Sequence, residues 1–419
     1  MWSCTSSSPT RARSTTLSSS GVTRQRSRGS ETEHMTTPRS VRVVTPSTEY
    51  DVRIGPGLLD TIYEAVIRSA PKARRVHAIV DSGVPTELVD RALEGIRAAD
   101  LSVTRSEITP TERVKITTTW HEQIAQAAAA RLDRSDVILA IGGGIVGDIA
   151  GFVGASYRRG LHVIQCPTTL LAMVDASVGG KTGVNLETES GLLKNAIGAF
   201  HQPVEVVADI ETLKSLTPRI FRAGLAECIK HSMLSGDFGD ADLGSWMRDH
   251  SNEILAQEAG ALAELVSRNV AVKAAVVATD EKENSSGDMG RALLNLGHTF
   301  AHAIETLPGV RVHMGDENSP IMHGEAVSLG LVAAASMSED LGKTSGLIEP
   351  LKTWLTDLGL PTRCKGLSDV DSILERMVHD KKASGGTIRF VIPTSEGSCR
   401  VIESPGDAPI LKALEAIQV

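Results

Sequence analysis

The 419-residue sequence is poor in aromatic residues, at 3 %, and its five cysteines are scattered without a Cys-x-x-Cys pair. So few aromatic side chains leave little material for the stacking surfaces that bind single-stranded nucleic acid. Isolated cysteines argue against a disulfide framework or a cysteine zinc knuckle, and they favour reduced thiols in the cytoplasm. An excess of positive charge is also missing. The net charge is -8, so nucleic acid is not the expected partner.

Long apolar runs are absent as well. No uncharged apolar stretch approaches the roughly 18 residues that cross a bilayer, so we expect no membrane partner. Apolar residues make up 41 % of the chain and charged residues 22 %, which is the balance of a globular protein. The length suggests two domains.

The leader, residues 1–37, is rich in Ser, Thr and Arg and poor in apolar residues. It buries too little apolar surface to offset the entropy lost on ordering, so we predict disorder. Three interpretations compete: an organelle transit peptide, a functionless tail, and translation from a start upstream of Met35. We favour the tail or the false start, and with them a cytoplasmic location. The leader lacks the apolar segment of a secretory signal.

The remainder of the chain divides into two patterns. From residue 38 to about 210, short β-branched runs such as SDVILAIGGG alternate with helical stretches. This alternation predicts an α/β domain with a Rossmann-like open sheet of parallel strands. From about 211 to 419 the long periodic stretches predict a mostly α-helical domain, which returns to strands only in TIRFVIPT and SCRVIES.

Two glycine-rich segments are candidates for binding phosphate groups. Gly142–Asp148 follows the strongest predicted strand and opens a helix, whose free N–H groups suit a phosphate. A glycine turn can equally be only a turn. The second segment, Gly179–Thr182, lacks the earlier glycine of a true P-loop, so we reject that interpretation. Its lysine and threonine still suit an anion, as does the nearby pair Lys194-Asn195.

The helical half carries two polar faces. Glu227 and Lys230 are spaced i, i+3 and share one face of a helix. Arg291, Asn295, His298 and His302 fall on one stripe of a predicted helix. Histidines four residues apart can share a metal, although two exposed or buried histidines would also fit the pattern. Glu227 and His323 are further candidate ligands, and a set of two histidines and one glutamate would leave an open position on a catalytic zinc.

Six stretches together resemble the 3-dehydroquinate synthase family of sugar phosphate cyclases. They are AIGGGIVGDIAGFVGASYRRG, CPTTLLAMVDASVGGKTGVN, KNAIGAFHQP, AGLAECIKH, RALLNLGHTFAHAIE and HGEAVSLG. The resemblance runs from about residue 40 to 400. It implies NAD and zinc as cofactors, with Co2+ as a substitute metal, and a sugar acid phosphate as substrate. The implied reaction converts 3-deoxy-D-arabino-heptulosonate 7-phosphate to 3-dehydroquinate and phosphate in the shikimate pathway.

The implied chemistry is a transient oxidation by NAD, elimination of phosphate, reduction by the same cofactor, and an intramolecular aldol closure. Since the cofactor is regenerated in each turnover, the enzyme is a lyase overall. The same pathway leads to the aromatic amino acids.

The resemblance also implies roles for individual residues. The zinc ligands would be Glu227, His298 and His323, with His302 as a nearby proton-handling or substrate-contacting group. NAD would be bound by Glu112, Lys115, Gly144, Ile145, Val146, Gly147, Asp148, Thr168, Thr169, Asp175, Lys181 and Lys194. The catalytic group would comprise Lys181, Lys230, Lys273, Arg291, Asn295 and His302. Further substrate contacts would come from Arg159, Lys194, Asn195 and one or both of Lys381 and Lys382.

In the family the arginine that matches Arg159 reaches across a dimer interface, so a homodimer is implied. Three segments are longer than the usual pattern and are predicted to be surface loops: 186–195, 282–291 and 305–322. The alternatives are another cyclase that makes a cyclitol or an amino analogue, a polyol dehydrogenase of similar fold, and a non-catalytic scaffold.

A chain that starts at Met35 is expected to keep its turnover and its thermal stability, because the leader is predicted to contribute nothing to the folded core. Steady-state kinetics and thermal unfolding of the two chains measure this. A large loss of either quantity would show that the leader packs on the folded part.

Overall fold

The computed structural model describes residues 37–189, 191–284, 290–307, 309–312, 320–367, 373, 377 and 388–419. A seven-stranded sheet has the order β1-β2-β9-β6-β5-β3-β4. Only β1 runs antiparallel to its neighbour, and the other pairs in this sheet are parallel. The strands are β1 Arg39–Val44, β2 Glu49–Gly55, β3 Arg75–Asp81, β4 Ser102–Ile108, β5 Val137–Gly142, β6 His162–Pro167 and, later in the chain, β9 Glu205–Asp209. The predicted α/β class is confirmed.

Helices cover both faces of this sheet because its central strands are apolar on both faces. All six residues of β5 are buried, as expected of a parallel strand between two helical layers. The helices are α1 Ile62–Ser69, α2 Thr86–Ala98, α3 Thr117–Ala129 and α4 Gly144–Ser156. Residues of α1 and α2 form one apolar cluster with the sheet, and residues of α3 and α4 form the other.

The second half is mostly helical, as predicted. Its helices are α5 Pro218–Ser232, α6 Leu243–Asp249, α7 Ser251–Leu255, α8 Ala259–Thr279, α9 His298–Glu305, α10 His323–Asp340, α11 Ile348–Asp357 and α12 Asp407–Glu415. The core of this half joins the sheet at β1 and β2 through α8. Short strands complete it: β10 Arg311–Val312, β11 Cys364–Lys365, β12 Arg389–Ser395 and β13 Ser398–Glu403. The domain boundary near residue 210 stays a prediction.

Two expectations about local structure are wrong. Residues 186–195 belong mainly to an antiparallel hairpin, β7 Lys181–Thr188 and β8 Gly191–Phe200, rather than to a surface loop. The predicted single helix through Arg291 and His302 is broken. Arg291–Asn295 form a 3-10 turn, and α9 begins only after Gly297, whose φ of 75° is left-handed. The four polar residues therefore do not share one helix stripe.

Helix α10 makes two unusually close backbone contacts. A Cβ atom on Gly324 would lie 1.9 Å from the carbonyl oxygen of Ala223 in α5, and one on Gly330 would lie 2.1 Å from that of Gly297. An ion pair adds a third contact near the start of α10. Arg219 of α5 donates to both carboxylate oxygens of Glu325 at 2.7 and 2.8 Å. These contacts hold α10 against α5 and against the residue that precedes α9.

The remaining sequence expectations concern the cysteines, the leader and membrane-spanning helices. Cys166, Cys228, Cys364 and Cys399 are buried and unpaired, which agrees with the predicted reduced thiols, while Cys4 lies outside the described residues. Disorder is predicted for the leader, residues 1–37, and all of it except Thr37 also lies outside the described residues. Within the part of the chain that the structure describes, no helix has the length and apolar character needed to cross a membrane.

Replacing Gly330 with Ala is expected to lower the free energy of unfolding by about 1–3 kcal/mol, because the added methyl group would overlap the backbone of Gly297. The matched control is Gly260→Ala in α8, where a Cβ meets no atom within 4 Å. That variant should be as stable as the wild type or slightly more stable. Urea denaturation measures both variants. Equal midpoints for the two would contradict the close-packing argument.

Candidate active site

Three potential metal ligands converge from three helices. The Nε2 atoms of His298 and His323 lie 3.5 and 3.4 Å from Oε1 of Glu227. One ligand atom from each residue lies within 4.8 Å of the other two. Atoms bound to a tetrahedral zinc at about 2.0–2.1 Å lie about 3.3 Å from one another. The spacing and the donor types therefore fit a zinc-like ion. The alternative partner His302 has its ring centroid 5.5 Å from that of His298 but is not part of this cluster.

The charges around the three ligands also favour a cation. Burial lowers the pKa of His298 to about 4, with a further contribution from Lys230, so its ring is neutral. Burial would lower the pKa of His323, but hydrogen bonds to Glu227 and Glu305 outweigh it and raise the pKa to about 9. Burial would raise the pKa of Glu227, but Lys230 and His298 outweigh it and hold the pKa well below its ordinary value. The carboxylates thus favour a positive charge between them.

Two buried lysines share one carboxylate beside the metal ligands. Lys230 Nζ lies 2.9 Å from Oδ2 of Asp175 and 2.6 Å from Oε2 of Glu227. Lys273 Nζ donates to the other oxygen of Asp175. Burial lowers the pKa of Lys273 well below its ordinary value, and Arg291 lowers it further. Asp175, predicted to contact NAD, therefore holds two predicted catalytic lysines together in this structure.

A second group of polar side chains surrounds Glu283. Its carboxylate pairs with Lys181 and accepts a hydrogen bond from Asn295 Nδ2 at 3.3 Å. Burial lowers the pKa of Lys181, although Glu283 opposes this shift. Arg291 is 2 % exposed, and its Nη1 donates to the carbonyl oxygens of Gly179 and Glu281, both at 2.8 Å. Among the described residues, its buried Nε–H has no acceptor.

The glycine turn lies where the sequence predicts, between β5 and the N-terminus of α4. Gly144, Ile145, Val146, Gly147 and Asp148 form the first turns of the helix, where free N–H groups can face a phosphate. A Cβ on Gly143 would lie 3.2 Å from the methyl group of Thr169. Thr168 is buried next to it and donates its N–H to the carbonyl oxygen of Gly142.

A third group joins α4 to the β7–β8 hairpin. Lys115 Nζ donates to Asp148 Oδ2 at 2.5 Å and to Asn195 Oδ1 at 2.6 Å. Burial raises the pKa of Asp148, and the charge of Lys115 opposes this. Asn185 Nδ2 donates to the backbone oxygen and the carboxylate of Glu112 at 3.1 and 3.0 Å. The predicted NAD contacts Glu112, Lys115 and Asp148 are therefore neighbours.

One predicted residue stands apart from these groups, and two others are not described. Arg159 is exposed and follows the C-terminal end of α4, a 13-residue helix about 20 Å long, so it is remote from the glycine turn of its own chain. Lys381 and Lys382 lie outside the described residues. Lys194 does join the site, because its Nζ lies 3.0 Å from Oε1 of Glu305.

Sequence reasoning missed several residues of the site. Asp81 ends β3, and its carboxylate accepts from the N–H groups of Gly83 at 2.8 Å and Gly143 at 3.4 Å. Its signal was an acidic residue at the carboxyl end of a parallel strand, next to a glycine turn. Glu283 lies in a segment predicted to be only a surface loop. Glu305 ends α9 and contacts His323, a contact that no local pattern indicates.

Comparisons with known proteins agree with this geometry. The sequence models of the 3-dehydroquinate synthase N-terminal and C-terminal regions match residues 105–223 and 224–383. The 3-dehydroquinate synthase of Nitrobacter winogradskyi is 38 % identical over 87 % of this chain and 92 % of its own length. That of Synechococcus sp. strain CC9605 is 39 % identical over 90 % and 97 %. The chain belongs to the 3-dehydroquinate synthase family. The predicted enzyme class and activity are thereby confirmed.

Solved structures share the fold at lower identity. A 2-deoxy-scyllo-inosose synthase complexed with carbaglucose-6-phosphate, NAD+ and Co2+ has a TM-score of 0.73 at 24 % identity, over 90 % of this chain and 99 % of its own. A 2-epi-5-epi-valiolone synthase from Streptomyces hygroscopicus subsp. jinggangensis, with NAD+ and Zn2+ bound, has a TM-score of 0.74 at 24 % identity, over 88 % and 97 %. The chain thus has the same fold as these two enzymes.

Replacing His323 with Ala is expected to remove bound zinc, because the variant would keep only two of the three converging ligand atoms. His302→Ala is the matched control and should keep stoichiometric zinc, since His302 lies outside the cluster. Elemental analysis of the purified variants measures both. Stoichiometric zinc in His323→Ala, or its loss in His302→Ala, would show that the ligand set is different.

Proposed function

We propose that NAD and zinc bound at the site described above serve the family's reaction in this chain, the conversion of 3-deoxy-D-arabino-heptulosonate 7-phosphate to 3-dehydroquinate and phosphate. The observation that carries this proposal is the convergence of Glu227, His298 and His323 next to the buried lysines that share Asp175. Zinc would be held by those three ligands. NAD would lie along the glycine turn, near Lys115, Asp148 and Thr169. When bound, NAD takes up and returns a hydride, and zinc polarises the oxygen of the alcohol that is oxidised.

The protein's own groups supply the binding of charge. Lys181, Lys230, Lys273 and Arg291 form a cluster of cations that suits a substrate with a phosphate at one end and a carboxylate at the other. In the structure Asp175 and Glu283 pair with three of these cations. Asp175 keeps the two buried ammonium groups in place, so they are preorganised for an anion.

Arg291 is the proposed carboxylate clamp. Two backbone carbonyl oxygens anchor its Nη1, and they leave the buried Nε–H without an acceptor among the described residues. An unpaired buried donor is costly, and an incoming carboxylate would satisfy it. Asn295 belongs to the same group of polar side chains, because its Nδ2 donates to Glu283.

The homodimer is also part of the proposal. Arg159 is exposed at the end of α4 that is remote from the glycine turn, so a role for it at the substrate requires a second copy of the chain. The four described cysteines are buried and unpaired, which supports a cytoplasmic location.

The decisive assay measures phosphate released by the purified chain from the heptulosonate phosphate, with and without a chelator. Release that the chelator abolishes and zinc restores supports the proposal. Sedoheptulose 7-phosphate, which has the phosphate but no carboxylate, should be turned over poorly or not at all. If it were the better substrate, the chain would instead be a cyclase that makes a cyclitol.

Arg291→Lys is expected to lower kcat/KM for the heptulosonate phosphate roughly 30- to 1000-fold, or about 2–4 kcal/mol, because an ammonium group cannot form two parallel hydrogen bonds. Zinc content and NAD binding should stay near those of the wild type. Arg268→Lys is the control, since Arg268 pairs with Asp240 outside the site. If kcat/KM of Arg291→Lys, like that of Arg268→Lys, stayed within threefold of the wild-type value, the proposed clamp would be refuted.

A further inference from the structure

The two histidines of the metal cluster are held in different ways. His298 donates from Nδ1 to the backbone oxygen of Leu296 at 3.1 Å, a partner two residues away in its own chain segment. His323 has Nδ1 3.3 Å from Oε2 of Glu305, a side chain from another helix. In both rings Nδ1 therefore has a hydrogen-bond partner, and Nε2 faces Glu227.

His323 depends on its partner more than His298 does. The His298 side chain is 12 % exposed, whereas that of His323 is 35 % exposed. His323 is also the first residue of α10, so one side of its ring has no preceding helical turn to pack against. Packing alone therefore constrains the His323 ring less, and a hydrogen bond has more influence on its orientation.

Glu305 is itself well anchored. It is the last residue of α9, and its side chain is 14 % exposed. Its two oxygens have separate partners, because Oε1 faces Lys194 Nζ at 3.0 Å while Oε2 faces His323. Lys194 belongs to β8, so the carboxylate is fixed between the hairpin and the first residue of α10.

We propose that Glu305 is a positioning residue that orients His323 and keeps its proton on Nδ1, so that Nε2 is free to bind the metal. A carboxylate behind a metal-binding histidine fixes the ring and its tautomer and makes the imidazole a stronger ligand. Glu305 is not one of the three converging ligands, so it would act through His323. The inference rests on the metal site proposed above.

The test measures zinc affinity rather than turnover. Glu305→Ala should bind Zn2+ about 10- to 100-fold more weakly than the wild type, in competition with a chromophoric chelator. Glu305→Gln keeps an acceptor without the charge and should fall between the two. In the Co2+-loaded proteins, the visible absorption band should shift in Glu305→Ala, because the geometry of one ligand is relaxed.

Asp340→Ala is the matched control. Asp340 is the last residue of α10, its side chain is 20 % exposed, and it pairs with a lysine, Lys412. This variant should keep wild-type zinc affinity. Thermal unfolding of the metal-free proteins separates positioning from general stability, since Glu305→Ala and Asp340→Ala should unfold at similar temperatures.

Each outcome decides the proposal. Zinc affinity in Glu305→Ala equal to that in Asp340→Ala overturns it, as does an affinity loss that merely parallels a loss of metal-free stability. If Glu305→Ala does not fold, Glu305→Gln decides: weakened zinc binding in a folded protein supports the proposal, and wild-type affinity overturns it. A wild-type chain that binds no zinc would overturn the proposed metal site as well, whereas tight wild-type binding with an unaffected Glu305→Ala would overturn this inference alone.

Discussion

The site depends on the close backbone approach of helix α10 to two other segments. Gly324 lies against the carbonyl group of Ala223, and Gly330 against that of Gly297. Ala223 lies one helical turn before Glu227 on α5, and Gly297 directly precedes His298. His323 begins α10 itself. The two glycine contacts therefore fix the distances among three helices that each contribute one candidate ligand, and side chains larger than hydrogen at these positions would separate them.

Buried charge is the second constraint. Glu227, Lys230 and Lys273 are each at most 5 % exposed, and a buried ion without a partner is strongly destabilising. Here each ion has a counterion, with Asp175 between the two lysines and Glu227 beside Lys230. The group therefore behaves as one electrostatic unit. The proposed ligands, a metal cation and an anionic substrate, would enter a place where opposite charges are already balanced.

Much of the fold could be predicted from local patterns. The apolar β-branched runs predicted the strands of the main sheet, and their alternation with helices predicted parallel pairing. The Gly142–Asp148 segment was placed correctly between a strand and a helix. Where local patterns misled, a tertiary contact had prevailed. Periodicity predicted a continuous helix through Arg291 and His302, but Gly297 adopts a left-handed conformation against α10 and interrupts it. Local pattern likewise predicts a loop over 186–195, where the ends of β7 and β8 pair with each other.

The sequence by itself determined the class of fold, the order of its elements and, through its motifs, the family and the candidate ligands. It could do so because strand and helix periods, glycine turns and motif spacing are written within a few neighbouring residues. Residue spacing alone left His302 open as a partner of His298, whereas the motifs implied His323, which the structure brings to Glu227. Only the tertiary structure decided that Asp81, Glu283 and Glu305 belong to the site. Those residues come from segments far apart in the chain. Their meeting is set by how closely helices and strands can pack, which no local spacing records.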